Sequence, residues 1–169
     1  MLKESLIECG AIKFGHFKLT SGKESNYYVD IKQASTNPKV LKEIAAEMAK
    51  LAEDNDYDLI AGMELGAVPL AVALALETKK PYLIIRKDKP THGTGKQVVG
   101  NAKAGQRVLI VEDVATTGGS VVKAINAIQE EGLTIDKILV VVDREEGAQE
   151  NLKDFNIPLV PLVRASELK

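Results

Sequence analysis

The sequence predicts an α/β protein built on a doubly wound, mostly parallel sheet. Three observations predict it. Short β-branched runs alternate with amphipathic helical stretches four or five times in series, the pattern that forces right-handed βαβ crossovers. The run Ile138–Val142 is apolar without alternation, as a strand covered on both faces requires, and it is the most hydrophobic run, which predicts a central place in the sheet. Strands also end in charge, at Arg86-Lys87, Glu112-Asp113 and Asp143-Arg144, which lines polar groups along the carboxyl edge where such sheets bind ligands.

The elements follow in order. Leu2, Leu6 and Ile7 have helical spacing and Gly10 is a stop, so a short helix opens the chain. Residues 14–30 read as two short strands around a Ser21-Gly22 turn, carrying Phe14, Phe17, Tyr27 and Tyr28. Those rings suit either a planar ligand or the plug of a hydrophobic end. Asn37 as N-cap and Pro38 at the first helical position open a helix whose apolar stripe is Val40, Leu41, Ile44, Ala45, Met48, Leu51 and Ala52, ending near Asp54. A strand at 58–61 leads through the loop Gly62-Met63-Glu64-Leu65-Gly66 into an alanine-rich helix over 67–77. Glycines at both ends of that loop let the backbone approach a ligand closely, a weaker anion cradle than the one described below. After the strand Tyr82–Ile85, residues 88–97 hold almost nothing apolar, and the segment is predicted to be a mobile lid. Val108–Val111 is a buried strand, Val121, Val122, Ile125 and Ile128 mark a helix stopped at Gly132, and a short helix near Gln149 precedes a last strand around Pro158–Val163.

Composition narrows the function classes. At 169 residues the chain is read as one domain, with residues 1–36 as an N-terminal segment and 37–169 as the core. A net charge of −2 supplies no basic field for nucleic acid. The longest apolar run, Val68–Leu76, is far short of the roughly 18 residues that cross a membrane. Lys3 and Glu4 interrupt any export signal, and the lone Cys9 allows neither an internal disulfide nor a cysteine-built metal site, so a cytoplasmic protein is expected.

The most informative stretch is Arg107–Ser120, R-V-L-I-V-E-D-V-A-T-T-G-G-S. Two carboxylates at a strand end precede a turn rich in hydroxyls and glycine, which opens a helix. Backbone N–H groups, hydroxyls and a helix N-terminus are what a phosphate needs. Glu112 and Asp113 would repel a bare phosphate, so they call for a diol, a metal, or both. Acids beside an anion cradle indicate a single ligand with both parts, a ribose phosphate. Arg144, from a neighbouring strand end, is a bidentate partner for a carboxylate or phosphate opening onto the same crevice. Gly93-Thr94-Gly95-Lys96-Gln97 is not an ATP-binding loop: Pro90 holds the first glycine's place, Gln97 replaces the metal-binding hydroxyl, and no helix follows. No strand is followed by a dinucleotide-type glycine fingerprint.

V-L-I-V-E-D-V-A-T-T-G-G-S resembles the phosphoribosyl-diphosphate (PRPP) motif of type I phosphoribosyltransferases. Together with F-K-L-T-S-G-K-E-S-N-Y-Y, the R-K…H-G-T-G loop and V-D-R-E-E, it is similar to the orotate-using branch of that family over nearly the whole chain. The resemblance implies the family's fold, with a small N-terminal hood and a flexible lid, and transfer of phosphoribose from Mg²⁺-PRPP to orotate. It implies PRPP contacts from Glu112 and Asp113 to the ribose hydroxyls, and from Val114, Ala115, Thr116, Thr117, Gly118, Gly119 and Ser120 to the 5′-phosphate. Met63, Glu64, Leu65 and Gly66 would take the pyrophosphate. Arg86, Lys87, Lys89, Pro90 and His92 would form the lid, with Arg86, Lys87, His92 and Asp113 catalytic. Thr116, Arg144, Tyr28 and Lys23 would bind orotate; purine transferases place an aspartate where Thr116 stands. Mg²⁺ would ride mainly on PRPP, without a dedicated protein ligand set, and the enzyme would be a homodimer sharing its lid between subunits.

The chain departs from the family pattern at three places. Pro90 stands where a second loop lysine is usual, with Lys89 one residue early. Thr20 stands where many relatives have a lysine, leaving Lys23 nearest. Tyr28 matches one of two ring-backing aromatics, and Val29 replaces the other. The alternatives are a phosphoribosyltransferase for another base, or a non-catalytic PRPP-sensing regulator on the same fold.

Overall fold

Asn37 and Pro38 start their helix as the sequence requires: the Asn37 side chain accepts hydrogen bonds from the N–H groups of Lys39 and Val40, and Pro38 is the first helical residue. The computed structural model describes residues 1–93 and 95–168; Thr94 of the lid and Lys169 lie outside the described residues.

The N-terminal segment comprises helix α1 (Leu2–Glu8), an antiparallel hairpin of β1 (Ile12–Lys18) and β2 (Glu24–Val29), and a one-turn helix α2 (Lys32–Ser35). The core runs α3 (Pro38–Leu51), β3 (Leu59–Met63), α4 (Val68–Thr78), β4 (Tyr82–Ile85), β5 (Val98–Val99), β6 (Arg107–Ala115), α5 (Gly119–Glu130), β7 (Thr134–Asp143), α6 (Ala148–Asn151) and β8 (Leu159–Arg164). The six core strands form one sheet in the order β5-β4-β3-β6-β7-β8, parallel throughout except for β5.

Both faces of the sheet are covered, so the expected double winding is present. Along β6, Leu109 and Val111 face one cluster with Ile44 and Met48 of α3 and Leu70 and Leu74 of α4; Val108 and Ile110 face another with Val121, Ile125 and Ile128 of α5. This is the period of two expected of a strand. Alternate residues of β7 divide in the same way, and Ile138 to Val142 are all fully buried. Each such side chain stabilises the fold by about 1.5–3 kcal/mol relative to exposure. Leu2, Leu6, Ile12 and Ile31 join the cluster beneath α3, so the N-terminal segment packs on the same core.

Several expectations are corrected. β7 is not at the centre: β3 and β6 form the middle pair, and β7 earns its apolar run by lying between β6 and β8 with helices above and below. β6 does not stop at Val111 but carries Glu112 and Asp113 inside the strand to Ala115, because their backbone continues the ladder with β7. α3 ends at Leu51, and Leu51 lies 39% exposed rather than on the buried stripe. The two-residue strand β5 was not visible in the sequence; it pairs antiparallel with β4 immediately after the lid.

Candidate active site

The carboxyl ends of β3, β6 and β7 converge on two adjacent cavities. The larger, about 700 Å³, lies between the β1–β2 hairpin and the core, bordered by Lys23, Tyr28, Asp113, Thr116, Arg144 and Glu146 among others. The smaller, about 420 Å³, is bordered by Met63, Glu64, Leu65, Gly66, Lys87, Glu112, Asp113 and Ser120. Asp113 borders both. The arrangement therefore joins an aromatic, cationic compartment to an acidic one through a single carboxylate.

Glu112 and Asp113 both border the smaller cavity but differ in burial. Glu112 is 5% exposed, and its Oε2 has no hydrogen-bond partner among the described residues, while Oε1 accepts from the Asp113 N–H at 3.1 Å. Burial first, then the adjacent Asp113 carboxylate, pushes the Glu112 carboxyl well above the usual range. Asp113 is half-buried, and its Oδ1 accepts from the Val114 N–H at 2.8 Å. A ligand with two hydroxyl donors would satisfy the orphaned oxygen and favour the ionised form.

The β3–α4 loop closes on this pair. A Cβ on Gly66 would overlap the Asp113 carboxylate, with Cγ 2.8 Å away, and a Cβ on Gly62 would meet the Ala67 carbonyl oxygen at 2.7 Å. At Gly62 the obstacle is backbone, so glycine is needed for the close approach of chain to chain, whereas at Gly66 an added Cβ would displace the Asp113 side chain. The Glu64–Leu65 peptide is cis. Glu64 Oε1 accepts from the Lys87 N–H at 2.9 Å, which ties this loop to the end of β4.

After β6, Thr116 and Thr117 are exposed and Gly118 adopts φ 98°, a conformation that L side chains rarely take. Asn151 Nδ2 donates to the Thr117 carbonyl at 2.7 Å, fixing the turn against α6. The first N–H groups of α5 lack helical partners and point out at this turn. The turn expected to hold an anion therefore leads directly into the first turn of α5.

The lid sits elsewhere. Its base is tied: the Arg86 N–H donates to the Gln97 carbonyl at 2.8 Å, and Gln97 Nε2 returns a bond to the Arg86 carbonyl at 2.9 Å. Lys87 borders the smaller cavity, but Lys89, Pro90 and His92 border neither. Lys89 Nζ lies 3.0 Å from Glu130 Oε2, at the last residue of α5, about 18 Å along the helix from the cradle at its start. Of the lid residues expected at the pyrophosphate, Lys87 thus borders the cavity of the Met63–Gly66 loop, whereas Arg86, Lys89, Pro90 and His92 do not.

Arg144 does reach the larger cavity, held more firmly than the sequence indicates. It is 9% exposed, its N–H donates to the Ala115 carbonyl at 2.9 Å, and its guanidinium carbon lies 4.3 Å from the centroid of the Tyr27 ring. Phe17 and Tyr28 form a tilted pair with centroids 5.6 Å apart, so of the four hairpin aromatics two stack on each other and one supports the arginine. Phe14 is 52% exposed. Thr20, Val29, Asp30 and Glu146 also border this cavity. Of these, sequence reasoning assigned no role to Asp30 or Glu146, and their only signal was position: each follows a strand end.

A doubly wound sheet with an acid pair ahead of a glycine turn, and a second glycine loop against the acids, defines a protein that binds a sugar phosphate on its carboxyl edge. The phosphoribosyl transferase domain family matches residues 30–159. The orotate phosphoribosyltransferase of Pyrococcus horikoshii is 58% identical over 165 residues, 96% of this chain and 89% of its own. The crystal structure of orotate phosphoribosyltransferase from Aeropyrum pernix superposes with a TM-score of 0.88 at 33% identity, covering 99% of this chain and 95% of that one. That of the Mycobacterium tuberculosis enzyme in complex with PRPP gives 0.82 at 30% identity, covering 99% and 96%. The chain belongs to the phosphoribosyltransferase family, in its orotate phosphoribosyltransferase branch.

Proposed function

We propose that this protein transfers the 5-phosphoribosyl group of PRPP to orotate, giving orotidine 5′-monophosphate and pyrophosphate in pyrimidine biosynthesis. The observation that carries the reading is Asp113, whose carboxylate borders both cavities and so stands where donor and acceptor must meet. The likeness to the named relatives supports it independently. No observation favours another base or a non-catalytic sensor.

The roles follow from position. Glu112 and Asp113 receive the ribose hydroxyls, Ala115 to Ser120 the 5′-phosphate, and Met63 to Gly66 the pyrophosphate. Thr116, Tyr28, Lys23 and Arg144 face the acceptor from the walls of the larger cavity. As the bond from ribose C1 to pyrophosphate breaks and the bond to the base nitrogen forms, positive charge gathers on the ribose and negative charge on the leaving group. Asp113 and Lys87 lie on the side where each can be offset. Stabilisation of this kind, by fixed charges, needs no protein nucleophile.

Mg²⁺ on PRPP fits the residues present: Glu64, Glu112 and Asp113 border the smaller cavity, and Glu112 Oε2 is unpartnered. Such carboxylates would hold the ion through its water shell, with substrate phosphates as the main ligands. The bound ion would supply charge neutralisation on the pyrophosphate.

The lid would complete the site from a second copy of the chain, carrying Arg86, Lys89 and His92 to the neighbour's pyrophosphate. Support comes from Lys89, which lies a helix length away from its own cradle.

Two measurements test these readings. Purified protein with Mg²⁺ and PRPP is expected to consume orotate, followed by its ultraviolet absorbance, and Asp113→Asn to lower kcat/KM by about 100-fold. Consumption of hypoxanthine or uracil with orotate untouched would refute the acceptor. Mixing Arg86→Ala with Asp113→Asn protein is expected to restore activity if the lid serves the neighbour; no recovery would mean self-contained sites.

A further inference from the structure

Arg144 is gripped from three sides by residues to which the proposed chemistry assigns no role. Nε donates to Glu146 Oε2 at 3.2 Å, Nη2 donates to Ser25 Oγ at 3.3 Å, and the Tyr27 ring lies beneath the guanidinium. Ser25 and Tyr27 come from β2 of the hairpin, Glu146 from the loop after β7, so the grip spans the two walls of the larger cavity.

The backbone that carries Arg144 is braced as well. Asp143, fully buried, accepts the Glu145 N–H on Oδ1 at 2.8 Å; Glu145 adopts φ 58° and its Oε1 accepts the Ser166 N–H at 2.7 Å from the C-terminal turn. A long, rotamer-rich side chain is therefore fixed at its root and at its tip. Freezing it before a ligand arrives removes an ordering cost that would otherwise weaken binding.

The grip occupies selected donors. A guanidinium has five N–H groups in a fixed fork. Glu146 takes the one on Nε and Ser25 one on Nη2, which leaves the Nη1 edge for a planar anionic partner in the cavity. Glu146 borders the same cavity, 33% exposed, yet its Oε2 is turned to Arg144.

We propose that Glu146 is a positioning residue for acceptor selection: by accepting the Nε hydrogen bond, with Ser25 and Tyr27, it aims the Nη1 edge of Arg144 at the acceptor's carboxylate. The proposal rests on orotate being the acceptor.

The test measures KM for orotate, KM for PRPP and kcat in wild type, Glu146→Ala and Glu146→Gln. Glutamine keeps an oxygen acceptor for Nε without the charge; alanine removes it. Glu146→Ala is expected to raise KM for orotate by about tenfold or more, as for loss of one charge-assisted hydrogen bond, with KM for PRPP unchanged. Glu146→Gln is expected to return KM for orotate to within about threefold of wild type. Thermal melting of both variants reports whether they fold. The idea is overturned if Glu146→Ala leaves KM for orotate unchanged, if KM for PRPP rises in parallel, if glutamine fails to rescue, or if the alanine variant does not fold. Wild type inert toward orotate overturns the acceptor reading along with it, whereas active wild type beside an indifferent alanine variant overturns only the role of Glu146.

Discussion

The two ends of the sheet treat charge in opposite ways. At the amino end, acids and bases satisfy each other. Arg107 Nη2 lies 2.8 Å from Asp136 and 3.3 Å from Asp56, its Nε donates to the Asp56 carbonyl, and Lys137 Nζ lies 2.9 Å from Asp54. Even Asp136 Oδ2, which accepts no hydrogen bond, is 3.8 Å from Lys137. At the carboxyl end, Glu112 and Asp113 stand together, and a buried oxygen of Glu112 has no partner among the described residues. Buried polar groups ordinarily find partners, and of the unpartnered buried oxygens, those of Glu112, Asp136 and Asp143, only that of Glu112 belongs to a residue bordering a cavity, where a ligand can supply the missing donor. The amino end spends its charges on the fold; at the carboxyl end Arg144 pairs with Glu146, but among the described residues the acids Glu112 and Asp113 have no cationic partner.

That contrast can be broken most forcefully at Gly66. Gly66→Ala would drive a methyl group into the Asp113 carboxylate. Displacing the carboxylate is expected to reduce kcat/KM by at least tenfold, with a smaller effect on stability because the side chain can move into the adjoining cavities. Unchanged steady-state kinetics would show that the loop can shift aside and that its contact with Asp113 is incidental.

Glu112→Gln sharpens the contrast in the other direction, since it should help the fold while harming the site. Below the ordinary carboxylate range Glu112 is protonated in both folded and unfolded chains. Above it the unfolded chain releases the proton while the folded one, with its raised value, retains it. Stability from this group therefore falls as pH climbs from the ordinary value through the raised one. The neutral isostere removes that loss, so its Tm is expected to exceed wild type at pH 7, to converge with wild type in acid, and to accompany a lower turnover. A lower Tm at pH 7 would mean that the buried charge is already compensated.

The smallest effect belongs to the amino end. Lys137→Ala removes a cation whose hydrogen-bonded partner Asp54 is 52% exposed, and solvent screens such pairs; Asp136, 3.8 Å away, keeps its contact with Arg107. A loss of at most about 1 kcal/mol is expected in urea titration, shrinking further in high salt, with kcat and KM unaltered. A change in catalysis would show that the two ends are coupled through β7. The Lys137 hydrogen bond also holds the Asp54 carboxyl below its usual range, so this contribution is present above the ordinary carboxylate value and fades as pH falls through the lowered one.

Much of this was legible in advance because it is local. Pro38 fixes φ and Asn37 caps within three residues, so the start of α3 needed no tertiary information. The turn at Thr116–Ser120 and the glycine loop at 62–66 likewise carry their geometry in residue type. What failed was non-local. β5 is only two residues long and exists because β4 lies beside it. Glu112 and Asp113 read as acids at the end of a strand stopping at Val111, because sequence cannot show that β7 extends far enough to carry the ladder to Ala115. Glu146 passed unnoticed in D-R-E-E, since its meaning depends on an arginine two residues earlier folding back to meet it.

The sequence by itself determined the α/β class, the glycine turn that opens α5 and the acid pair, since strand periodicity, glycine and capping chemistry act over a few residues. Only the tertiary structure decided that Asp113 borders both cavities, that Lys89 lies a helix length from the turn at Thr116–Ser120, and that Arg144 is clamped between hairpin and core. Those facts depend on which distant segments meet, and chain packing settles that.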